Sequence, residues 1–241
     1  MRIVRFRLTL LVTLMLFAAT SAAAAPAHSA RPAVVKPTQE LAALLSAHEA
    51  FSKPAQGSAR LTLVQARRPL TGVRTVLPVL GHATGTRGIG WLQVRLPGRP
   101  NGRTGWIRQR ATVGSTTSWH IVIRTSTRRV VVYRNGRPVR TVKAVVGKPS
   151  TPTPHGEFFV EEAIRLGAGD VGAPFALALS GRSNVLQEFD GGPGQVALHG
   201  LANVGGVPGS AVSHGCVRLN NDVMRWLVAR IGPGVPVTIT S

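Results

Sequence analysis

The chain has a single cysteine among 241 residues, so it holds no intramolecular disulfide and no zinc site built from several thiolates. Acidic residues are scarce: 9 Asp and Glu stand against 29 Lys and Arg, a formal charge of +20. Phe, Trp and Tyr make up 5% of the residues, which leaves few rings on which nucleic-acid bases could stack. Long apolar runs are missing too. Leu8 to Ala19 has 12 residues, short of the roughly 20 that an ordinary transmembrane helix needs, and no other stretch is long enough to span. What is present is a chain 44% hydrophobic and only 16% charged, able to bury a core rather than behave as a disordered basic tail. Its length suits one large domain or two small ones, and 27 Gly and 17 Pro among Val and Thr runs favour short strands and turns.

Arg2, Arg5 and Arg7 precede the apolar run, and small residues follow at Ala22 to Ala25, the three parts of a secretory signal. Residues 1–25 are therefore expected to direct export, with the remainder working outside the cytoplasm. Residues 26–112 carry 13 basic and 2 acidic residues, against 13 and 7 in residues 113–241. For an exported protein the polyanions within reach are wall polymers and membrane surfaces before nucleic acid. A charge excess that only solubilises is the other reading of the same numbers.

Residues 26–58 read as a linker with a short helix, in which Thr38 caps, Leu41, Leu44, Leu45 and His48 share a face, and Lys53-Pro54 stops the run. From about residue 59 to 112 the pieces are strand-sized: 61–65, 73–79, 91–96 and 104–108. Leu92, Val94 and Leu96 alternate with Gln93 and Arg95, and Pro97 to Gly102 supplies a turn. This stretch resembles a bacterial SH3-like module, a small antiparallel barrel. Beyond Trp119 strands are expected at 121–125, 129–133, 139–146, 158–160, 175–179, 195–198 and 235–240, with Asn135-Gly136 as a two-residue hairpin turn. One helix is expected over 221–231, with Val223, Trp226, Leu227 and Arg230 on one face and Gly232-Pro233-Gly234 ending it. The fold class is mainly β.

The chemistry concentrates in Ala197-Leu198-His199-Gly200 and, fourteen residues after the last of its donor-bearing side chains, at Ser213-His214-Gly215-Cys216-Val217-Arg218-Leu219. A lone Cys in an exported chain is either a small buried residue or a reactive thiol. Gly215 lets backbone approach a ligand, and two His residues stand within reach of the thiol. A free thiol with a pKa near 8.5 is only about 3% ionised at neutral pH, so an imidazole partner is expected to raise the thiolate to the main species. A zinc site of His199, His214 and Cys216 competes, but one residue between His214 and Cys216 is a shorter gap than paired ligands use, and a fourth ligand is not evident. Nothing else in the sequence asks for a cofactor.

At these residues the chain resembles the L,D-transpeptidase (YkuD-like) catalytic domain of bacterial cell-wall enzymes. The family pattern is a His on a strand, a spacer, then Ser or Thr-His-Gly-Cys, an apolar residue, and Asn or Arg. Gly147 to Phe158, with Thr151-Pro152-Thr153-Pro154, looks like the family's Pro-Thr-Pro segment. The resemblance covers residues 118–241. It implies a β-rich sandwich, a Cys216 nucleophile, and His199 as proton acceptor and donor, its ring oriented by the Gly200 carbonyl, where the family often carries Ser. It further implies an oxyanion site of backbone N–H groups around His214, Gly215 and Cys216, with Ser213 and Arg218 meeting substrate.

The implied substrate is a peptidoglycan stem tetrapeptide: Cys216 releases the terminal D-alanine, and an amine of a second stem, or water, resolves the thioester. Two rivals come from other classes. A sortase-like transpeptidase also uses His, Cys and Arg but expects a Thr-rich strand before its Cys, and a non-catalytic wall-binding protein would need only the basic N-terminal stretch. Neither the acceptor amine nor the oligomeric state is written in these residues.

Overall fold

The computed structural model describes residues 35–188 and 192–241; the expected export signal lies outside the described residues. Strands β1 (Gln39–Leu44), β2 (His48–Phe51), β3 (Arg60–Val64), β4 (Val76–Thr84), β5 (Gly90–Arg95), β6 (Thr104–Arg108) and β7 (Thr112–Thr117) form an antiparallel sheet in the order β3-β2-β6-β5-β4-β1-β7. Leu92, Val94 and Leu96 enter its core as their alternation predicts. Trp91, on the opposite face of β5, is buried as well, edge-on to Phe51 with 5.8 Å between ring centres.

The helix expected around Leu41 to His48 is not there. Leu41, Leu44, Leu45 and His48 have helical spacing, yet Ala42 and Leu44, two apart, point into the core while Leu45 is 51% exposed. β1 is hydrogen-bonded on both edges, Ala42 standing opposite Leu77 of β4 and Gly114 of β7, and this pairing overrides the helical propensity of Ala and Leu. Strands thus begin twenty residues before the point where the N-terminal module was expected to start.

The second sheet holds β8 (Trp119–Arg124), β9 (Arg129–Arg134), β10 (Arg137–Lys143), β12 (Gly156–Arg165), β13 (Phe175–Arg182), β14 (Gln195–His199), β16 (Val217–Arg218) and β17 (Pro236–Thr240) in the order β10-β9-β8-β17-β12-β13-β14-β16, while β11 (Val146–Gly147) and β15 (Ala211–Ser213) form a separate parallel pair. Asn135 and Gly136 both have positive φ, 52° and 72°, and Arg134 stands opposite Arg137, the type I′ turn that this dipeptide predicts. Helix α1 (Asn221–Val228) lies against β13 and β14. Its buried stripe is Val223, Met224 and Leu227; Trp226 is half-buried, and the exposed Arg230 lays its guanidinium over the Trp226 ring.

β12 joins the two parts of the described chain. Phe158 and Val160 enter the core of the second sheet, while Phe159, between them, enters the core of the first. Farther along β12, Glu161 and Glu162 are both 1% exposed. Glu161 is paired with Arg68 and with Arg182, and Glu162 accepts from the Thr71 backbone N–H (3.0 Å) and hydroxyl (2.7 Å). Arg68→Ala would leave the buried Glu161 with only a longer contact to Arg182. Loss of one partner of a buried ion pair costs about 3–5 kcal/mol, so the variant's urea midpoint is expected to fall clearly below that of the parent; an unchanged midpoint would show that the pair does not tie the two sheets.

Candidate active site

β14 ends at His199 because the next residues turn sharply over the stretch before β13. The Gly200 N–H donates to the Gly172 carbonyl (2.7 Å), and the Gly172 N–H to the Ala202 carbonyl (2.8 Å). A Cβ at residue 200 would collide with the Ala173 carbonyl oxygen, and a Cβ at residue 172, where φ is +85°, would collide with the His199 ring. Glycine at 200, where the family often has Ser, is thus what this backbone packing admits. His199 Nδ1 lies 2.8 Å from the Gly200 carbonyl oxygen and can only donate to it. The proton is therefore on Nδ1, and Nε2 is left as the acceptor.

Parallel pairing of β14 with β16 sets Leu198 opposite Val217 and His199 opposite Arg218, which brings Cys216, one residue before β16, level with Ala197, two residues from His199 and therefore on the same face of β14. The turn that presents the thiol is tied by Ser213. Its buried hydroxyl donates to the Cys216 carbonyl (2.6 Å) and accepts the Gly215 N–H (3.1 Å), while Gly215 takes φ of +120°. The Thr-Pro segment braces the same turn: the Lys148 N–H (2.9 Å) and the Thr151 hydroxyl (3.2 Å) both donate to the Ser213 carbonyl, and the Gly147 N–H donates to the Thr153 hydroxyl (2.9 Å).

One sequence expectation changes here. Ser213 is 0% exposed, and its hydroxyl holds the turn. Gly215 supplies the backbone conformation of that turn, and its N–H donates to the Ser213 hydroxyl.

His199, His214, Cys216 and Arg218 share a cavity of about 240 Å³, walled by Val171, Leu186, Val196 and Val204 and by Ser183, Gly194 and Gln195. His214 is exposed and Cys216 half-buried. Burial pushes the Cys216 thiol up, with a hydrogen bond from the Ala197 backbone and the charge of Arg218 acting against it. Burial pushes His199 down; its bond to Gly200 opposes that, and Arg218 adds to it. Both shifts disfavour the charged form of the group, and burial is the leading cause of each. Arg218 is 9% exposed, donates from Nη1 to the Gly205 carbonyl, and has a buried Nε without a partner. Among the described residues no carboxylate pairs with it, and no group of three or more His, Cys, Asp or Glu side chains is placed to hold a metal ion.

The sequence motif finds His199, His214, Cys216 and Arg218, and the structure brings all four to one cavity. Gly172, Ser183, Leu186, Gly194 and Gln195 carry no motif; only the approach of β13, β14 and the Gly172 turn assigns them to the site.

A family model for the L,D-transpeptidase catalytic domain, YkuD, matches residues 118–239. The chain belongs to this family. Among its relatives, a putative L,D-transpeptidase YkuD of Bacillus subtilis is 31% identical over 124 residues, covering 52% of this chain and 67% of the relative. L,D-transpeptidase 1 of Mycobacterium tuberculosis is 31% identical over 120 residues, 45% of either chain, so less than half of that relative is spanned. Among solved structures, L,D-transpeptidase 3 of M. tuberculosis carrying a faropenem-derived adduct gives a TM-score of 0.45 at 14% identity, covering 69% of this chain and 91% of that one. An L,D-transpeptidase from Mycobacterium smegmatis gives 0.39 at 17% identity, covering 68% and 99%.

Proposed function

We propose that the chain is an extracytoplasmic cell-wall L,D-transpeptidase that forms a cysteine acyl-enzyme with a peptidoglycan stem tetrapeptide, releases D-alanine, and transfers the acyl group to an amine of a second stem. The observation that carries this reading is that a half-buried Cys216 and a His199 held in one tautomer line the same apolar-walled cavity. Nε2 of His199 takes the thiol proton as sulfur attacks the carbonyl next to the terminal D-alanine, and returns it to the departing amine. The oxyanion is held by backbone N–H groups around His214, Gly215 and Cys216, each such donor contributing about 3–4 kcal/mol in related serine chemistry. Arg218, without a carboxylate of its own, faces a carboxylate of the stem.

Residues 1–25 serve as the export signal, and the basic N-terminal sheet, SH3-like in role, faces anionic wall polymers. The apolar wall excludes water during transfer, which favours an amine acceptor over hydrolysis. Mass spectrometry of muropeptides after incubation with the purified chain separates the outcomes: cross-linked dimers joined at the third stem residue are expected, tripeptides alone would make it an L,D-carboxypeptidase, and no change would reject the proposal.

A further inference from the structure

We propose that Arg99, which belongs to the N-terminal sheet, is a positioning residue of the transpeptidase site: it fixes one wall of the cavity and thereby sets affinity for the stem peptide. The inference rests on the function proposed above.

The turn between β5 and β6 reaches across to β13 and latches onto it. The Gly98 N–H donates to the Ser180 carbonyl (3.0 Å). The Asn101 side chain pairs with the Arg182 backbone in both directions, donating to its carbonyl (2.7 Å) and accepting its N–H (2.8 Å). From this latched turn Arg99 extends to the residues that leave β13 and return to β14. Nη1 donates to the Pro193 carbonyl (2.9 Å), and Nη2 to the carbonyls of Ser183 (2.8 Å) and Leu186 (2.9 Å).

Those three carbonyls belong to residues just after β13 and just before β14, which are tied together by the Ser183 N–H on the Gly194 carbonyl (2.7 Å). Ser183, Leu186 and Gly194 line the cavity that holds Cys216 and His199. Leu186 and Gly194 are also pressed together, since a Cβ at residue 194 would collide with the Leu186 carbonyl oxygen. A planar guanidinium with five N–H donors can hold three carbonyls at fixed angles, whereas an ammonium on a flexible stem cannot.

Charge pairing does not explain the placement. Among the described residues Arg99 has no carboxylate partner. It stands instead near another cation, Arg182, which burial first and the charge of Arg99 second pull down to about 10. The arrangement gains neutralisation of carbonyl dipoles at the cavity wall and accepts repulsion between two cations. One consequence is that the N-terminal sheet, beyond any contact with the wall, braces residues that line the catalytic cavity.

The test uses Arg99→Ala and Arg99→Lys in the full chain. For a stem tetrapeptide, Arg99→Ala is expected to raise KM by about tenfold with kcat within about threefold, as for loss of ground-state positioning, and Arg99→Lys to recover only part of it. Alkylation of Cys216 by iodoacetamide, a reagent too small to need the wall, should proceed at the parent rate. Hydrogen exchange in residues 183–188 should quicken while β12 and β13 exchange as before. A purely structural Arg99 would lower folded fraction and apparent kcat together at constant KM, and that result overturns the proposal. Unchanged exchange in residues 183–188 overturns it too, and does so even if the parent turns over no stem peptide, an outcome that would sink the proposed function separately.

Discussion

His199→Ala is expected to lower turnover at pH 7 by about 10²- to 10⁴-fold, the usual range for loss of a general base, and to change the shape of the pH profile. In the parent, His199 must be neutral to accept the proton, and burial holds its pKa below the ordinary 6.5. Activity is therefore present above that depressed value and lost only as pH falls through it, so kcat/KM should be level across neutral pH, with its acid limb below 6.5. Burial pushes the Cys216 thiol the other way, above the ordinary thiol range. Without His199 the thiol must ionise unaided, and the variant's rate should climb roughly tenfold per pH unit through neutrality toward that raised pKa. Measuring kcat/KM from pH 5 to 10 for both proteins checks this. A variant with a level neutral profile near the parent's would remove His199 from the mechanism.

Cys216→Ala should cut turnover by about four orders of magnitude or more, because no other thiol exists in the chain and no Lys or Asp shares its cavity. The fold should be unaffected. The turn is held by the Ser213 hydroxyl on the Cys216 backbone carbonyl rather than on its sulfur, so the unfolding midpoint should match the parent's. Rates of D-alanine release together with thermal unfolding check both halves of the expectation. Substantial release by a folded Cys216→Ala protein would show that another group performs the attack.

Local patterns told much of this in advance. Asn135-Gly136 makes its hairpin because positive φ at two successive residues is a property of those residues, independent of anything distant. His199 and Cys216 are recognisable because the chemistry is packed into a few consecutive side chains. What failed needed partners far along the chain. The Leu41 to His48 segment has helical spacing and becomes two strands because β4 and β7 close on both edges of β1. Ser213 sits in the motif beside the nucleophile, yet only the folded turn shows that its hydroxyl faces backbone and occupies the Gly215 N–H. Residue identity alone did not reveal that burial pushes the Cys216 thiol up and the His199 imidazole down, since that depends on what the fold packs around them.

The same non-locality alters how the basic N-terminal sheet should be tested. Phe159 of β12 is part of that sheet's core, so deleting the sheet would expose an aromatic side chain, unpair Glu161 from Arg68, and remove the bonds of Arg99 to the Ser183, Leu186 and Pro193 carbonyls. Exchanging exposed charges is the cleaner experiment. Any loss of wall binding through such changes should shrink as salt rises, because the Debye length drops from about 10 Å at 0.1 M to about 3 Å at 1 M.

The most direct measurement is intact-protein and peptide mass spectrometry of the chain quenched during reaction with a synthetic stem tetrapeptide. The expected result is a mass increase equal to the tripeptide acyl group, located on the peptide containing Cys216, with one D-alanine released for each acyl group gained and no adduct in Cys216→Ala. Release of D-alanine without any adduct at Cys216, or the same adduct on the Cys216→Ala protein, would contradict it.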